Sequence, residues 1–446
     1  MSAQRLRAFF RRGGRSPFVG GGGPLAPTLT SLQNWWAPQS LDTGASTWTD
    51  LGSEGATLAQ GFANPATLSI PIDGMQAITG TPNAALENAG TSMTGAREVW
   101  CVVRPHNIAT TSRLIYDGVG GTNRQSLFSQ TTGALNANAG TNLSVASGIP
   151  QDRPQILRVR VNGDGTGQIY RVTSVATATS SPIASGTIGT STWAGITVGA
   201  SNSGSSALDG ALAEILRYSA ILSDADAETT AAYLLSRYPS CAKFGHADVN
   251  LLPLGDSLTQ GLLSESGYSY KEKLFYAFEA TDVSSTSTLL FRGSVQQECF
   301  DHDGVAGNTI AQIEARAAAA IAASSADVMV LIAGTNDAQD AGYDGATAAA
   351  AYASLLATIF TADPTLPIVL CLAPPMTTVP HNANVNDLNP RIETAVAAAA
   401  STITTVDPRD AGWTTGAGYT TDGVHPNDAG ETALSTVIEA GIRAAL

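Results

Sequence analysis

Apolar and polar positions follow two patterns along the chain, and the change between them falls near residue 240. Over residues 31–240, short apolar runs are separated by Gly, Ser, Thr and Asn. Examples are residues 98–104, 155–161, 167–172 and 195–199. Strands of this length at this spacing are typical of a β-sandwich. The stretch ends in a predicted strand at 210–218 and a predicted helix that begins after Ser223, a plausible N-cap, and runs to about residue 238.

After a predicted linker at 239–247, apolar strands alternate with helix-like stretches. The predicted strands are 249–254, 288–292, 328–333, 367–372 and 402–407. The predicted helices are 268–279, 309–323, 347–361, 389–400 and 428–445. Such alternation predicts a parallel sheet with helices on both faces. The functional site of such a sheet lies at the carboxyl ends of its strands.

Residues 1–30 have no sustained periodicity and are predicted to be a basic, Gly-rich anchor arm. All five of its arginines precede the first acidic residue, Asp42; they are Arg5, Arg7, Arg11, Arg12 and Arg15. A secretion signal needs an apolar core after its basic residues. Residues 13–23, which occupy that place, begin and end in glycine, so we expect no signal peptide. No segment reaches the roughly 18 apolar residues of a membrane span.

The whole chain is acidic, with 23 Lys+Arg against 37 Asp+Glu and a formal net charge of −14. This charge argues against nucleic acid or an anionic membrane as the main partner. Four cysteines are scattered without metal-ligand spacing, so we expect neither a metal nor another cofactor. Cys101 and Cys371 lie in apolar runs and are predicted to be small buried side chains. Cys299 shortly precedes the second motif described below, so it either lines the site or is equally inert.

Four short motifs provide candidate chemistry in the second half of the chain. They are 255–259 (Gly-Asp-Ser-Leu-Thr), 304–309 (Gly-Val-Ala-Gly-Asn-Thr), 334–337 (Gly-Thr-Asn-Asp) and 422–427 (Asp-Gly-Val-His-Pro-Asn). Ser257 follows the first predicted strand and is a candidate nucleophile, which needs a base to remove its proton. Asp422 and His425 are spaced to form that base, with the carboxylate fixing the imidazole tautomer. Gly307 and Asn336 offer a backbone N–H and a side-chain amide to a developing oxyanion.

The four motifs resemble those of the GDSL, or SGNH, hydrolase family, in the family's own order and over residues 247–446. The resemblance implies a flavodoxin-like three-layer α/β/α fold. It also implies that Ser257 is the nucleophile and first oxyanion donor, that Gly307 and Asn336 complete the oxyanion hole, and that Asp422 and His425 complete the triad. The family includes carbohydrate O-acetyl esterases, lipases, thioesterases and lysophospholipases, so the motifs leave the substrate open.

Residues 31–240 resemble the laminin-G-like, concanavalin-A-like jelly-roll sandwich. The resemblance rests on residues 32–36, on Trp-Thr-Asp at 48–50 and on the strand and helix that close the stretch at 213–238. Members of that family often bind carbohydrate and sometimes calcium, but no compact acidic loop here suggests a calcium site. Five tryptophans either stack on sugars or pack in the core: Trp35, Trp36, Trp48, Trp100 and Trp193.

We therefore expect three parts: an arm (1–30), an all-β jelly-roll sandwich that binds glycan (31–240) and an α/β/α hydrolase domain (247–446). The expected function is a metal-independent serine esterase that removes O-acetyl groups from a host-surface polysaccharide. The expected setting is a bacteriophage or phage-like particle, with the chain oligomeric in a virion assembly, held by its arm, and extracellular after lysis. Two alternatives stay open: a non-enzymatic adhesion or decoration module, and a lipid or thioester hydrolase.

Overall fold

The computed structural model places the described part of the chain in two compact units, residues 26–243 and residues 247–446. The described residues are 26–42, 47–60, 67–73, 75–79, 86–106, 113–119, 125–130, 133–146, 150–201, 206–243, 247–264, 267–281, 287–297, 299–399, 402–413 and 418–446. The predicted arm therefore lies, up to residue 25, outside the described residues. The predicted division into three parts stays a prediction.

The first unit contains two large antiparallel sheets and one short pair of strands. The larger sheet has the strand order β15-β14-β13-β8-β17-β6-β5, with β1 pairing with β17, and the other has the order β12-β11-β10-β9-β16-β7-β4. The strands are β1 (Leu32–Trp36), β2 (Leu41–Asp42), β3 (Thr47–Trp48), β4 (Ala59–Gln60), β5 (Thr67–Ile72), β6 (Met75–Thr79), β7 (Leu86–Met93), β8 (Arg97–Pro105), β9 (Arg113–Asp117), β10 (Ser126–Ser129), β11 (Leu135–Asn138), β12 (Asn142–Val145), β13 (Gln155–Val161), β14 (Thr166–Val172), β15 (Pro182–Thr187), β16 (Trp193–Val198) and β17 (Gly210–Tyr218).

The core of this unit lies between the two sheets. Alternate residues of β13, such as Leu157 and Val159, pack in one cluster with Leu127 and Ile196 of the other sheet. Two helices cover the outer face of the larger sheet: α1 (Thr177–Ser180) and α2 (Asp224–Arg237). The Ser223 side chain accepts the Asp226 N–H, as predicted for the N-cap of α2.

The tryptophans of the sandwich are core residues rather than sugar platforms. Trp36, Trp48, Trp100 and Trp193 have no exposed surface. Trp35 is half-buried, and its indole N–H donates to Glu214 Oε1 at 2.7 Å. A sugar can stack only on an accessible ring, so the sugar-stacking interpretation is wrong for the four buried tryptophans, and their packing explains them.

Residues near both predicted ends of the sandwich pack against it. Thr28, which was predicted to lie in the arm, is buried, and its hydroxyl donates to Asp226 Oδ1 at 2.8 Å. The Tyr218 hydroxyl also donates to the Thr28 carbonyl. At the other end, a 3-10 helix at Pro239–Lys243 buries Ser240 and Cys241, so much of the predicted linker packs in the sandwich. Short segments such as these form structure only through tertiary contacts, which periodicity does not report.

The second unit has one parallel sheet with the order β19-β18-β21-β22-β23, and β20 pairs with the end of β18. Its strands are β18 (Ala247–Gly255), β19 (Ser287–Phe291), β20 (Asp303–Gly304), β21 (Val328–Ile332), β22 (Ile368–Cys371) and β23 (Ile403–Val406). Its helices are α3 (Ser257–Gln260), α4 (Tyr270–Thr281), α5 (Ile310–Ser324), α6 (Thr335–Gln339), α7 (Gly345–Ala362), α8 (Val379–Ala397) and α9 (Asp428–Ala445). Apart from β20, this is the flavodoxin-like strand order, which places a ligand crevice beside the first strand.

Helices cover both faces of this sheet, as predicted. Helices α5, α7 and α8 bury Ile313, Leu355 and Leu388 in one cluster with alternate strand residues such as Leu370. Val369 points to the opposite face, where helix α9 lies so close that a Cβ on Gly441 would be 2.6 Å from Val369 Cγ1. Helix α7 is the one described helix that is long and apolar enough to cross a membrane by length and composition. Its buried residues pack in the core cluster like those of α5 and α8.

Helix α8 begins ten residues before its predicted start at 389. The prediction placed Pro390 in the first turn, where proline is well tolerated. In the structure Pro380 occupies that place, and Pro390 lies inside the helix. The Asn389 amide donates to the Ala373 carbonyl at 3.0 Å, so this part of α8 is held from outside the helix. The predicted helix at 428–445 coincides with α9.

Candidate active site

Ser257 is the first residue of the single-turn helix α3, directly after strand β18. The Asp256 carboxylate accepts the Leu258 N–H at 2.9 Å and caps this helix. Gly255 is required because a Cβ there would lie 2.5 Å from the Ile332 carbonyl oxygen. The strand, the cap and the helix together fix Ser257 at the carboxyl edge of the sheet, where only 3% of its surface is exposed.

His425 and Asp422 lie on the loop that precedes α9 and reach Ser257 from there. His425 Nε2 is 3.0 Å from Ser257 Oγ, and His425 Nδ1 is 2.7 Å from Asp422 Oδ2. The other carboxylate oxygen accepts the backbone N–H groups of Val424 and His425 at 3.0 and 2.8 Å. The structure thus brings together the three residues predicted as the triad, in the geometry of nucleophile, base and orienting carboxylate.

The loop that carries this pair is held at three places. The Thr421 N–H donates to the His425 carbonyl at 2.7 Å, and the Thr377 N–H donates to the Gly423 carbonyl at 3.0 Å. Tyr419 stacks on the buried Trp413 with ring centroids 5.7 Å apart. Gly423 has φ +98°, and a Cβ there would be 2.2 Å from Thr377 Oγ1. This position therefore admits only glycine without strain.

The electrostatics of the pair favour an ionised carboxylate. Partial burial alone would raise the pKa of Asp422. Hydrogen bonds from the His425 side chain and from the N–H groups of His425 and Val424 outweigh this effect and lower that pKa below its usual value. The carboxylate is therefore charged at neutral pH and stabilises a cationic imidazole.

Gly307 lies on the loop after β20, and Asn336 is the second residue of helix α6, which follows β21; both strands pair with β18. Gly255, at the end of β18, pairs with Gly304 on one side and Ile332 on the other. The Val305 N–H donates to the Gly255 carbonyl at 3.1 Å, which holds the loop of Gly307 against the Ser257 segment. Gly307 itself has φ +78°, in the left-handed region that favours glycine.

The Asn336 amide is fixed on the Gly307 loop. Asn336 Nδ2 donates to the Asn308 carbonyl at 2.9 Å. An amide nitrogen carries two hydrogens, so one can orient the side chain while the other serves an oxyanion. A nucleophile, a base with its orienting carboxylate, and preorganised donors at one edge of the sheet are the groups that acyl transfer needs. Within the described residues, no three His, Cys, Asp or Glu side chains are grouped so that they could hold a metal ion.

Residues 254–433 match the GDSL-like lipase/acylhydrolase family. This segment is a GDSL-type ester hydrolase domain. The match covers less than half of the chain and contains all five predicted site residues: Ser257, Gly307, Asn336, Asp422 and His425. No curated protein matches the chain.

The chain is similar to several solved structures over part of its length. A carbohydrate esterase of family 3 from Talaromyces cellulolyticus is 20% identical, with 44% of this chain and 97% of that chain covered and a TM-score of 0.38. A family 3 carbohydrate esterase from Clostridium thermocellum is also 20% identical, with 45% and 100% covered and a TM-score of 0.38. A GDSL-like lipase from Bacteroides thetaiotaomicron is 20% identical, with 44% and 89% covered and a TM-score of 0.34.

Supporting residues of the GDSL domain were not predicted. Arg316 donates to the carbonyls of Gly255 and Asp303 and, at 3.2 Å, to Asn308 Oδ1, so it joins the ends of two strands to the Gly307 loop. It is the sole basic side chain of the alanine-rich helix α5, and this isolation in the sequence could have indicated a structural role. The buried His302 accepts the Gly304 N–H through Nδ1 at 2.9 Å. Burial lowers the pKa of His302 to about 3, so its ring stays a neutral acceptor.

The four cysteines are all buried. Burial raises the pKa of the Cys101 and Cys371 thiols, as expected for small side chains in apolar strands. Cys299 is only 5% exposed, which leaves little surface for contact with a substrate.

Proposed function

We propose that the GDSL domain hydrolyses carboxylic esters through an acyl-enzyme on Ser257. The observation that carries the proposal is the relay of two short contacts, 3.0 Å from Ser257 Oγ to His425 Nε2 and 2.7 Å from His425 Nδ1 to Asp422. Ser257 Oγ attacks the ester carbonyl carbon while its proton passes to His425 Nε2. The oxyanion is bound by the N–H groups of Ser257 and Gly307 and by the Asn336 amide.

The second half of the reaction uses the same groups. The tetrahedral intermediate collapses, the bond to the leaving alkoxide breaks, and His425 returns its proton to that oxygen. Water then attacks the acyl carbon and passes a proton to His425 Nε2. The second intermediate collapses, the bond to Ser257 Oγ breaks, His425 returns the proton to Oγ, and the carboxylic acid leaves. Asp422 stays ionised throughout and stabilises the imidazolium that forms in both halves. Removal of one oxyanion donor raises the activation free energy of such reactions by roughly 3 kcal/mol.

We propose an O-acetylated polysaccharide as the substrate. The proposal is supported by the joining of the domain to a β-sandwich in one chain, because a tethered glycan-binding module raises the local concentration of its ligand. Since four of the five tryptophans are buried, the sandwich would hold a glycan through its polar surface. Bound glycan would then present its acetyl esters to Ser257.

We further propose that the protein acts on a host-surface glycan as part of a bacteriophage or phage-like particle. The proposal is supported by the contrast between the arginine-rich first 15 residues and the acidic remainder, which gives −14 for the whole chain. A basic arm suits attachment to an acidic neighbour in an oligomeric assembly. The setting is the virion, or the medium after lysis.

Acetate release from an O-acetylated polysaccharide, compared with hydrolysis of long-chain esters and acyl thioesters, tests the substrate class. We expect the acetylated glycan to be turned over and long-chain esters to be poor substrates. A preference for long acyl chains or thioesters would identify a lipid or thioester hydrolase. Binding of the glycan without turnover of any ester would identify an adhesion module.

A further inference from the structure

A buried lysine contacts the nucleophile helix from behind. Lys271, in helix α4, has no exposed surface, and its amine donates to the Thr259 carbonyl and, at 3.4 Å, to the Gln260 carbonyl. These two carbonyls are the last of helix α3, whose first residue is Ser257. A helix of one turn has little hydrogen bonding of its own, so its last carbonyls depend on outside donors.

The same end of α3 also holds the loop of Gly307. The Gln260 side-chain oxygen accepts the Ala306 N–H at 2.7 Å. Ala306 directly precedes Gly307, the proposed oxyanion donor. The Lys271 amine is therefore connected to the Gly307 loop through hydrogen bonds of Gln260. Helix α3 connects the same amine to Ser257.

We infer that Lys271 is a positioning residue for catalysis, which sets Ser257 and the Gly307 loop relative to each other through the carboxyl end of helix α3. The inference rests on the proposed function because it takes Ser257 as the nucleophile. A buried amine at this place keeps the nucleophile and the oxyanion donors in one geometry. A displacement of about 1 Å between such groups can cost on the order of 10²-fold in rate.

The charge of this amine is costly to bury. Burial lowers the pKa of Lys271 to about 7, and the buried carboxyl of Glu431 on α9 opposes that shift. His302, in the segment before β20, is the other titratable group coupled to it, and its ring stays neutral. An apolar side chain would avoid the cost of desolvation, so the lysine has to be explained by the carbonyls that it binds.

Lys273 provides a matched control in the same helix. Its amine pairs with Asp428 of α9 at 2.7 Å, so it links α4 to α9, whereas the Lys271 amine links α4 to α3. Lys271→Met and Lys273→Met remove the same chemical group, two residues apart. Both are expected to lower the melting temperature, but only the first removes donors from the nucleophile helix.

The test compares steady-state kinetics on a small acetate ester at a temperature where each variant is folded. Lys271→Met is expected to lower kcat by about 10- to 100-fold with little change in KM. The rate of covalent labelling of Ser257 by a fluorophosphonate is expected to fall in parallel. Lys273→Met is expected to keep both rates within about twofold of the wild type, because exposed or half-buried ion pairs contribute little.

Gln260→Met keeps the test decisive if Lys271→Met does not fold. It removes the acceptor of the Ala306 N–H and leaves the Lys271 contacts in place, so we expect a smaller loss of kcat at unchanged KM. If Lys271→Met is folded and keeps the wild-type kcat and labelling rate, the positioning role is wrong. If Lys271→Met does not fold, the same result for a folded Gln260→Met would show that the role is wrong. If the wild-type protein itself is not labelled at Ser257, the proposed function fails instead.

Discussion

His425 Nε2 lies 3.0 Å from Ser257 Oγ, although 168 positions separate the two residues in the chain. Ser257 follows the first strand of the sheet, and His425 precedes the last helix. Each is held by its own contacts: Ser257 by strand β18 and the Asp256 cap, His425 by Thr421 and the Asp422 carboxylate. The catalytic contact therefore forms only when both ends of the GDSL domain are folded.

Replacement of Asp422 tests the orientation of the base. Asp422→Asn is expected to lower kcat by up to about 10⁴-fold with the fold intact, because an amide oxygen can still accept the N–H groups of Val424 and His425 but the amide cannot stabilise an imidazolium. The measurement is the kcat of ester hydrolysis by the wild type and by the variant at pH 8. Asp428→Asn, at the first residue of helix α9, is the control and should remain active.

The lowered pKa of Asp422 also sets the sign of a stability effect. Its hydrogen bonds contribute stability that is present above the unfolded pKa and is lost only as the pH falls through the lower folded value. Asp422 should therefore cause no loss of stability between pH 8 and 5. A wild-type protein that unfolds over that range because of Asp422 would contradict this assignment.

Replacement of Asp256 tests the opposite kind of shift. Burial raises the pKa of Asp256 to about 6. The folded state therefore binds this proton more tightly than the unfolded state does. As a result, the folded state loses stability as the pH rises from about 4 to 6. Asp256→Asn should therefore be more stable than the wild type at pH 8, by up to about 3 kcal/mol for a difference of about two between the pKa values. The difference in the free energy of unfolding between the variant and the wild type should become smaller towards pH 4. Urea denaturation at pH 5 and pH 8 measures it, and equal stabilities at pH 8 would count against the shift.

A methyl group at position 423 should disturb the loop of His425. In Gly423→Ala the Cβ meets Thr377 Oγ1 and the backbone at φ +98° is strained, which costs about 1–3 kcal/mol. Displacement of His425 should lower turnover by on the order of 10²-fold. Gly418→Ala is the matched control, because a Cβ there meets no atom within 4 Å. Equal activity of the two variants would show that a methyl group at position 423 does not displace His425, and would contradict this prediction.

Removal of the arm tests the proposed particle role. A chain that begins at Ala26 keeps the contacts of Thr28 with the sandwich and should hydrolyse small esters normally. It should fail to join its assembly, and Arg→Gln changes in the arm or added salt should weaken the association of the full chain. Normal assembly of the shortened chain would refute the anchor role.

Periodicity predicted the parallel sheet and the two helical faces because the strands of the GDSL domain other than β20 are apolar runs between polar turns. It did not predict α3 and α6, since a single turn has no period to detect. The site residues could be named because Ser257 and Asn336 lie in motifs that follow strands, and His425 lies in a motif on the loop before α9. Lys271 and Gln260 could not, because their partners are backbone groups that only the folded chain brings near. The buried tryptophans show the same limit, since burial depends on which face of the sandwich each residue occupies.

The most direct test of the account is the fate of Ser257 during turnover of an acetyl ester. After rapid acid quenching, mass spectrometry of the wild-type protein is expected to find one acetyl group on the peptide that contains Ser257. Ser257→Ala is expected to be folded, to carry no acetyl group there and to turn over esters several orders of magnitude more slowly, with the residual rate due to binding and the oxyanion donors. A folded Ser257→Ala protein with wild-type turnover would contradict the mechanism.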